Sequence, residues 1–287
     1  MTVVLADLGA TNARFSILRK GRLSDVYQFA CDDFKNPYDL IEGFVHTYAP
    51  EAKYILTGVP GPVMNNKVCW TNRRWSLDGN ALKKKLSLKK VILVNDLMGQ
   101  GAALRALSPK DLVLLNQNKK QPHAPAILIN VGTGLGACFI VDNHVYSAEY
   151  GQNVMIDGST IESVVSGPAF KRLYQTLSGT DKMISAIKIA EACAKGDKIA
   201  QETYRQFYVR LARVSMNFAL ITQARGGVYL CGGILDKHTL KQMKFADLFC
   251  HHDKMNKLLK TLPLIYIERK DFAFIGLKVL AKEYGLS

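Results

Sequence analysis

With 287 residues and a mass of 31.9 kDa, the chain is long enough for one large domain or two ordinary ones and too long for a mini-protein. Its 38 Lys and Arg against 24 Asp and Glu leave a formal net charge of +14, which invites a polyanionic partner. Yet 48% hydrophobic and 22% charged residues is the composition of a packed globule and excludes a mainly disordered chain. The six cysteines, at 31, 69, 138, 193, 231 and 250, include no C-x-x-C pair and no histidine in zinc-ligand spacing, so reduced thiols in a cytoplasmic protein are expected. Residues 1–10 lack a cationic start and carry Asp7 within the apolar run, and no apolar stretch reaches spanning length, so neither a signal peptide nor a membrane partner is expected.

In chain order, Val3–Leu8, Ala13–Leu18 and Val26–Cys31 read as three strands of an antiparallel meander, with Lys20-Gly21 turning between the second and third. Pro37–Tyr48 has the spacing of an amphipathic helix, Leu40, Ile41, Phe44 and Val45 falling on one side and Pro37 standing at the first turn. A strand at Tyr54–Val59, a Pro-Gly-Pro corner, a helix across Leu77–Leu86 and a buried strand at Val91–Val94 ending in Asn95-Asp96 follow. The pattern then restarts with strands at Ala126–Val131 and Ala137–Val141 around Gly132-Thr133-Gly134. Strand, glycine turn, strand thus occurs twice, as expected of an internally duplicated α/β unit. The later half is helix-rich, with helices expected over Ile161–Leu177, Met183–Lys195 and Ile199–Thr222; in the last, Tyr204, Phe207, Leu211, Val214, Phe218 and Ile221 form the stripe of a buried helix. Val228–Cys231 reads as a strand opening into Gly232-Gly233, and Leu264–Ile267 and Phe274–Tyr284 as the closing strand and helix.

The motifs exclude several chemistries. No glycine precedes a lysine, so there is no Walker A loop, and neither H-E-x-x-H nor G-x-S-x-G occurs. Gly132-x-Gly134-x-Gly136 has the wrong third spacing for a dinucleotide fingerprint and runs into the strand-like Ala137–Val141, whereas a Rossmann loop opens a helix. A glycine turn between two strands can instead converge its backbone N–H groups on an anion. Two such turns could clamp a nucleotide triphosphate, and an acid at a strand end, Asp7, can hold Mg²⁺ while Thr11 and Asn12 add donors. Taken one at a time, either turn reads equally well as a hairpin, and Asp96 as the N-cap of a following helix.

As a set, Asp7-Leu8-Gly9-Ala10-Thr11-Asn12-Ala13-Arg14, Thr71-Asn72 with Trp75, Asn95-Asp96, Gly132-Thr133-Gly134-Leu135-Gly136, Ser166-Gly167-Pro168 and Gly232-Gly233-Ile234 resemble, in order and spacing, the bacterial glucokinase family over essentially the whole chain. The resemblance implies an α/β, two-lobed actin-like ATPase (ribonuclease H-like) fold with duplicated α/β units and a central cleft. A small domain would comprise residues 1–101 plus 272–287, and a larger helix-rich one residues 102–271. It implies ATP-dependent transfer of the γ-phosphoryl group to the 6-hydroxyl of glucose, with Mg²⁺ accompanying ATP. Asp96 would be the general base; Asn72, Asn95, Glu149, Gln152 and Glu162 would join it on the sugar; Asp7, Gly9, Ala10, Thr11, Asn12, Gly132, Thr133, Gly134, Gly232 and Gly233 would bind the nucleotide, Asp7 also holding the metal. Carboxylates suit a sugar because each oxygen can accept from one hydroxyl.

Three positions depart from the family pattern. Ala10 replaces a glycine of the phosphate turn, Gln152 stands where a histidine is usual, and Asp271-Phe272-Ala273 replaces Asn-Pro-Gly. The zinc-binding cysteines of the related repressor and kinase group are missing. The competing readings are a kinase for another hexose and a non-catalytic sugar-binding or sensing relative. The lysine clusters at 83–85 and 89–90, and Lys237, Lys241 and Lys244, show little aromatic interleaving and read as a solvated face, so no nucleic-acid partner is expected. A homodimer is one assembly the sequence allows.

Overall fold

The computed structural model describes residues 1–71 and 73–286. They divide into two compact units, Met1–Leu107 with Arg269–Ser287, and Ser108–Glu268.

The first unit is built on a six-stranded sheet. Strands β1 (Thr2–Leu8) and β2 (Asn12–Arg19) form an antiparallel hairpin, and β2 continues the meander by pairing with β3 (Arg22–Leu23) and β4 (Tyr27–Ala30). Helix α1 (Pro37–Tyr48) then crosses to β5 (Tyr54–Val59), which lies parallel to β1. A small hairpin, β6 (Lys67–Cys69) with β7 (Ser76–Asp78), leads into α2 (Gly79–Lys85), and β8 (Lys90–Asn95) joins parallel to β5. Helix α3 (Asp96–Ala103) follows directly, and the C-terminal helix, Phe272–Glu283, packs along it through Gly99, Ala103, Ala273 and Gly276, small residues that let two helix backbones approach closely. Leu40, Ile41, Phe44 and Val45 of α1 are buried, as their spacing predicts, and Phe44 stacks on Phe15 of β2 with ring centroids 4.3 Å apart.

The expected helix over Leu77–Leu86 is corrected at its start. Leu77 pairs with Val68 within β7, and Asp78 caps α2, accepting from the Asn80 and Ala81 N–H groups at 2.8 and 3.1 Å. A cap residue has extended backbone, so the helix begins after it.

The second unit repeats the plan. Strands β9 (Leu112–Leu114), β10 (Ala126–Val131), β11 (Leu135–Val141), β12 (His144–Ala148), β13 (Gly227–Cys231) and β14 (Leu264–Ile267) form one sheet in the order β12-β11-β10-β13-β14-β9. Its β10–β11 hairpin and parallel β10-β13-β14 ladder match the β1–β2 hairpin and parallel β1-β5-β8 ladder of the first unit strand for strand. This repetition is the duplication that the two glycine turns predict.

The helices of the second unit are α4 (Ile161–Val164), α5 (Gly167–Ser178), α6 (Ala186–Ala194), α7 (Lys198–Thr222), α8 (Lys237–Gln242), α9 (Phe245–Phe249) and α10 (Asn256–Leu259). The single helix expected over Ile161–Leu177 is therefore two: Ser166 starts a new one, its hydroxyl accepting from the Ala169 N–H at 3.2 Å, with Pro168 in the first turn. The helix expected from Met183 begins at Ala186, capped by Ser185. Along α7, Phe207, Leu211, Val214 and Phe218 are buried, but Ile221 is 71% exposed, because the last turn of this 25-residue helix outruns the core. No described helix is long and apolar enough to cross a membrane.

Candidate active site

In each unit the parallel strands carry their carboxyl ends to one side, the side on which open α/β sheets bind ligands. In the first unit these ends bring Asp7, Gly58 and the Asn95-Asp96 pair together. Asp7 lies opposite Gly58 in the β1–β5 register, and Gly58 lies opposite Val94 in the β5–β8 register. A β-carbon on Gly58 would stand 3.3 Å from the Asp96 Cα and 3.7 Å from its Cβ. The missing side chain thus leaves room for the start of α3. Burial raises the pKa of Asp7, and Arg14, its cross-strand partner, opposes that rise.

Asn95, and not Asp96, is the N-cap of α3. Its side-chain oxygen accepts from the Leu97 N–H at 3.0 Å, and its amide donates to the Gly61 carbonyl at 3.1 Å. This corrects the alternative that Asp96 serves as the cap. Asp96 occupies the first helical position, half-buried, with Oδ1 accepting from the Leu97 N–H at 2.9 Å. Asn72 lies outside the described residues.

The turn from Gly9 to Asn12 is held by its carbonyl groups. The Gly9 N–H donates to the Asn12 carbonyl at 2.9 Å, the Cys31 N–H to that of Thr11 at 2.9 Å and the Arg73 Nη1 to that of Ala10 at 3.2 Å. The Ala10 and Thr11 N–H groups take no partner among the described residues. A run of such amides is an anion-binding concavity. Ala10 does not have positive φ, so the Cβ that departs from the family pattern brings no left-handed strain.

In the second unit the turn from Gly132 to Gly134 closes with the Gly132 N–H donating to the Gly134 carbonyl at 2.9 Å. The Gly132 carbonyl accepts from the Gly167 N–H at 2.8 Å, and the Leu135 N–H donates to Glu162 Oε2 at 2.9 Å. Gly232, with φ of +119°, sits against the end of β10, where any β-carbon would fall 2.1 Å from the Val131 carbonyl oxygen; the space around Gly233 is open. Glycine is required at 232 by both conformation and contact.

Glu149 caps, and Gln152 ends, a short 3₁₀ turn, Tyr150–Gln152, in which the Gln152 N–H donates to the Glu149 carbonyl at 3.0 Å. The turn is pinned to α7 by Tyr150, which stacks on Phe218 and donates its hydroxyl to the Val214 carbonyl at 2.9 Å. Burial pushes the Tyr150 phenol up to about 12, so it stays protonated and keeps that bond. Partial desolvation first, and repulsion from Glu162 second, raise the pKa of Glu149. The Glu162 carboxylate is therefore close enough to act on Glu149.

Sequence reasoning missed Arg73, Cys31 and Gly58. Nothing in Thr71-Asn72-Arg73-Arg74-Trp75 separates Arg73 from its neighbour, since its partners lie more than forty residues away. Asp271, a departure at the C-terminal motif, is engaged locally: Arg269 Nε and Nη2 reach its two carboxylate oxygens at 2.8 and 3.2 Å.

Comparison with known proteins identifies the family and the fold. The family model described as Glucokinase matches residues 4–155 and 149–284. A glucokinase of Helicobacter pylori is 27% identical over 323 aligned positions, which cover 99% of this chain and 96% of the relative. Among solved structures, the glucokinase of an Antarctic psychrotroph superposes with a TM-score of 0.82 at 22% identity, over 98% of this chain and 99% of that one. A ROK family glucokinase from Streptomyces griseus, solved with glucose and AMPPNP, gives 0.72 at 17% identity, over 99% and 100%. The duplicated sheets are those of the actin-like ATPase fold, and with a family model matched along nearly its whole length, the chain belongs to the glucokinase family.

Proposed function

We propose that this protein is a hexose kinase that transfers the γ-phosphoryl group of ATP to the 6-hydroxyl of glucose, with Asp96 as the general base. The observation that carries the reading is the convergence of Asp7, Asp96 and the amide-lined turn at Gly9–Asn12 at the carboxyl ends of β1, β5 and β8. Phosphoryl transfer has a loose transition state, so a base need only orient the sugar hydroxyl and accept its proton late. Asp96 suits this role because α3 and the cap at Asn95 fix its backbone while its side chain remains half-exposed.

In the first unit the Ala10 and Thr11 amides suit a polyphosphate, and in the second the turn at Gly132–Gly134 suits the same class of anion. Gly232 and Gly233 take the adenosine. In the first unit Asn95 keeps one amide hydrogen for a sugar hydroxyl; in the second, Glu149 and Glu162 suit acceptance from sugar hydroxyls and Gln152 either acceptance or donation. Because Glu162 is already anchored by the Leu135 N–H, its position is tied to the second glycine turn.

The donor chemistry fits Mg²⁺ brought in with ATP. This ion prefers hard oxygen ligands and is held through one or two carboxylates plus phosphates and water, which Asp7 can supply without a dedicated cluster. No group of three or more metal-ligating side chains occurs among the described residues, and none is needed for such an ion. When bound, Mg²⁺ offsets charge on the phosphates. None of the six cysteines is joined in a disulfide, which suits a cytoplasmic enzyme.

The test is direct. Purified protein with glucose and Mg-ATP should form glucose 6-phosphate, and a screen across mannose, fructose and N-acetylglucosamine should rank glucose first. Glucose binding by calorimetry without any phosphotransfer would overturn the kinase reading in favour of a sensor.

A further inference from the structure

Arg73 converges on four groups of its unit. Its Nη1 donates to the Ala10 carbonyl at 3.2 Å and to Asp32 Oδ1 at 2.7 Å, and its Nη2 donates to the Cys31 carbonyl at 3.0 Å. The guanidinium lies over the Trp75 ring, 4.2 Å from its centroid. The fork therefore ties three segments together: the turn after β1, the segment that follows β4, and the loop between β6 and β7. Only a planar group with several donors can satisfy those acceptors at once.

We infer that Arg73 is a positioning residue for the phosphate turn: by holding the Ala10 carbonyl, it keeps the peptide planes of the turn oriented so that the Ala10 and Thr11 N–H groups face a bound polyphosphate. The inference rests on the kinase reading for the identity of the anion. Its physical basis is the rigid peptide unit, in which the C=O and N–H point in opposite directions, so fixing the Ala10 carbonyl fixes the Thr11 N–H. Cys31 supports the same turn from the other side, through its N–H to the Thr11 carbonyl and its Sγ to the Gly9 carbonyl at 3.5 Å. The exposed Asp32 carboxylate serves the guanidinium and not the turn.

The loop that carries Arg73 does not need the guanidinium for its own shape. The Trp70 N–H donates to the Trp75 carbonyl at 2.9 Å, the Trp75 N–H to the Arg73 carbonyl at 2.7 Å, and the two indoles meet edge to face. Loss of the side chain should thus disturb the phosphate turn far more than the loop.

The experiment compares full-length wild type, Arg73→Met and Arg73→Lys, measuring the affinity for Mg-ATP and for adenosine by calorimetry, with thermal melting as a folding check. The Met variant should lose about tenfold in ATP affinity, the worth of one charge-assisted contact to the turn, while adenosine, which lacks phosphates, binds within twofold of wild type. The Lys variant, able to reach only one acceptor at a time, should fall between. An unchanged ATP-to-adenosine ratio in both variants, or an equal loss for both ligands, overturns the proposal; if the Met variant fails to fold, the Lys ratio decides. Should wild type bind ATP but phosphorylate no sugar, the kinase reading fails while the ratio still reports on Arg73.

Discussion

Replacing Gly58 is a small change with a calculable effect on the proposed base. The residue lies on the central strand of the β1-β5-β8 ladder, and an added Cβ would come to 3.3 Å from the Asp96 Cα, closer than ordinary van der Waals contact. The start of α3 must then give by a few tenths of an ångström. If misplacement of a reacting group by about 1 Å costs on the order of 100-fold in rate, Gly58→Ala should lower kcat about three- to tenfold. Gly58→Val, which adds two more methyl groups, should approach about 100-fold. Stability should change little in the Ala variant: crowding costs on the order of 1 kcal/mol, and the gain from removing a glycine from a strand is of similar size and opposite sign. The assay is steady-state glucose phosphorylation coupled to glucose 6-phosphate detection, with urea unfolding alongside. A kcat within twofold of wild type in both variants would refute the argument that the glycine makes room for Asp96.

Further outcomes follow from the same geometry. Asp96→Asn should reduce kcat by about 10²- to 10⁴-fold with a glucose KM within a few-fold of wild type and an unchanged melting temperature; full activity would exclude Asp96 as the base. Gly232→Ala places a β-carbon against the Val131 carbonyl in a left-handed conformation. It should cost about 2–4 kcal/mol from strain and overpacking together, read as a lower urea midpoint; an unmoved midpoint counts against the close approach. Glu149→Gln tests the glutamate pair. Because the folded state raises the pKa of Glu149, its contribution to stability is fully present below the ordinary value of 4.5 and lost as pH rises through the folded pKa. At neutral pH its charge is therefore unfavourable. The Gln variant should be more stable there by about 0.5 kcal/mol or less, given the exposure of the residue, with the gain vanishing near pH 4 and the glucose KM rising. A Gln variant that is less stable at pH 7 would contradict the repulsion between Glu149 and Glu162.

Local chemistry carried much of the fold. Alternating and continuous apolar runs mark β1, β2, β5, β10 and β14, and the 3.6-residue stripe with Pro at the first turn marks α1, because side-chain periodicity is set within one element. The hairpin nature of both glycine turns was likewise legible, since an apolar run after the last glycine predicts a strand. Two helix starts also carry local signals: Asp78 and Ser166, the latter followed by Gly167-Pro168, each have the capping chemistry of an N-terminus.

The sequence by itself determined the duplicated α/β plan, the strand-turn-strand form of the two glycine turns and the family to which the motifs belong. Only the tertiary structure decided that Asn95 and not Asp96 caps α3, that Ile221 outruns the core, that Gly58 leaves space beside the proposed base and that Arg73 grips a carbonyl sixty-three residues away. The division has a physical cause. Periodicity and caps are consequences of bonds within a few residues, whereas the direction of a peptide plane and the spacing between two glutamates depend on which distant segments pack together. Short-range patterns cannot record those contacts.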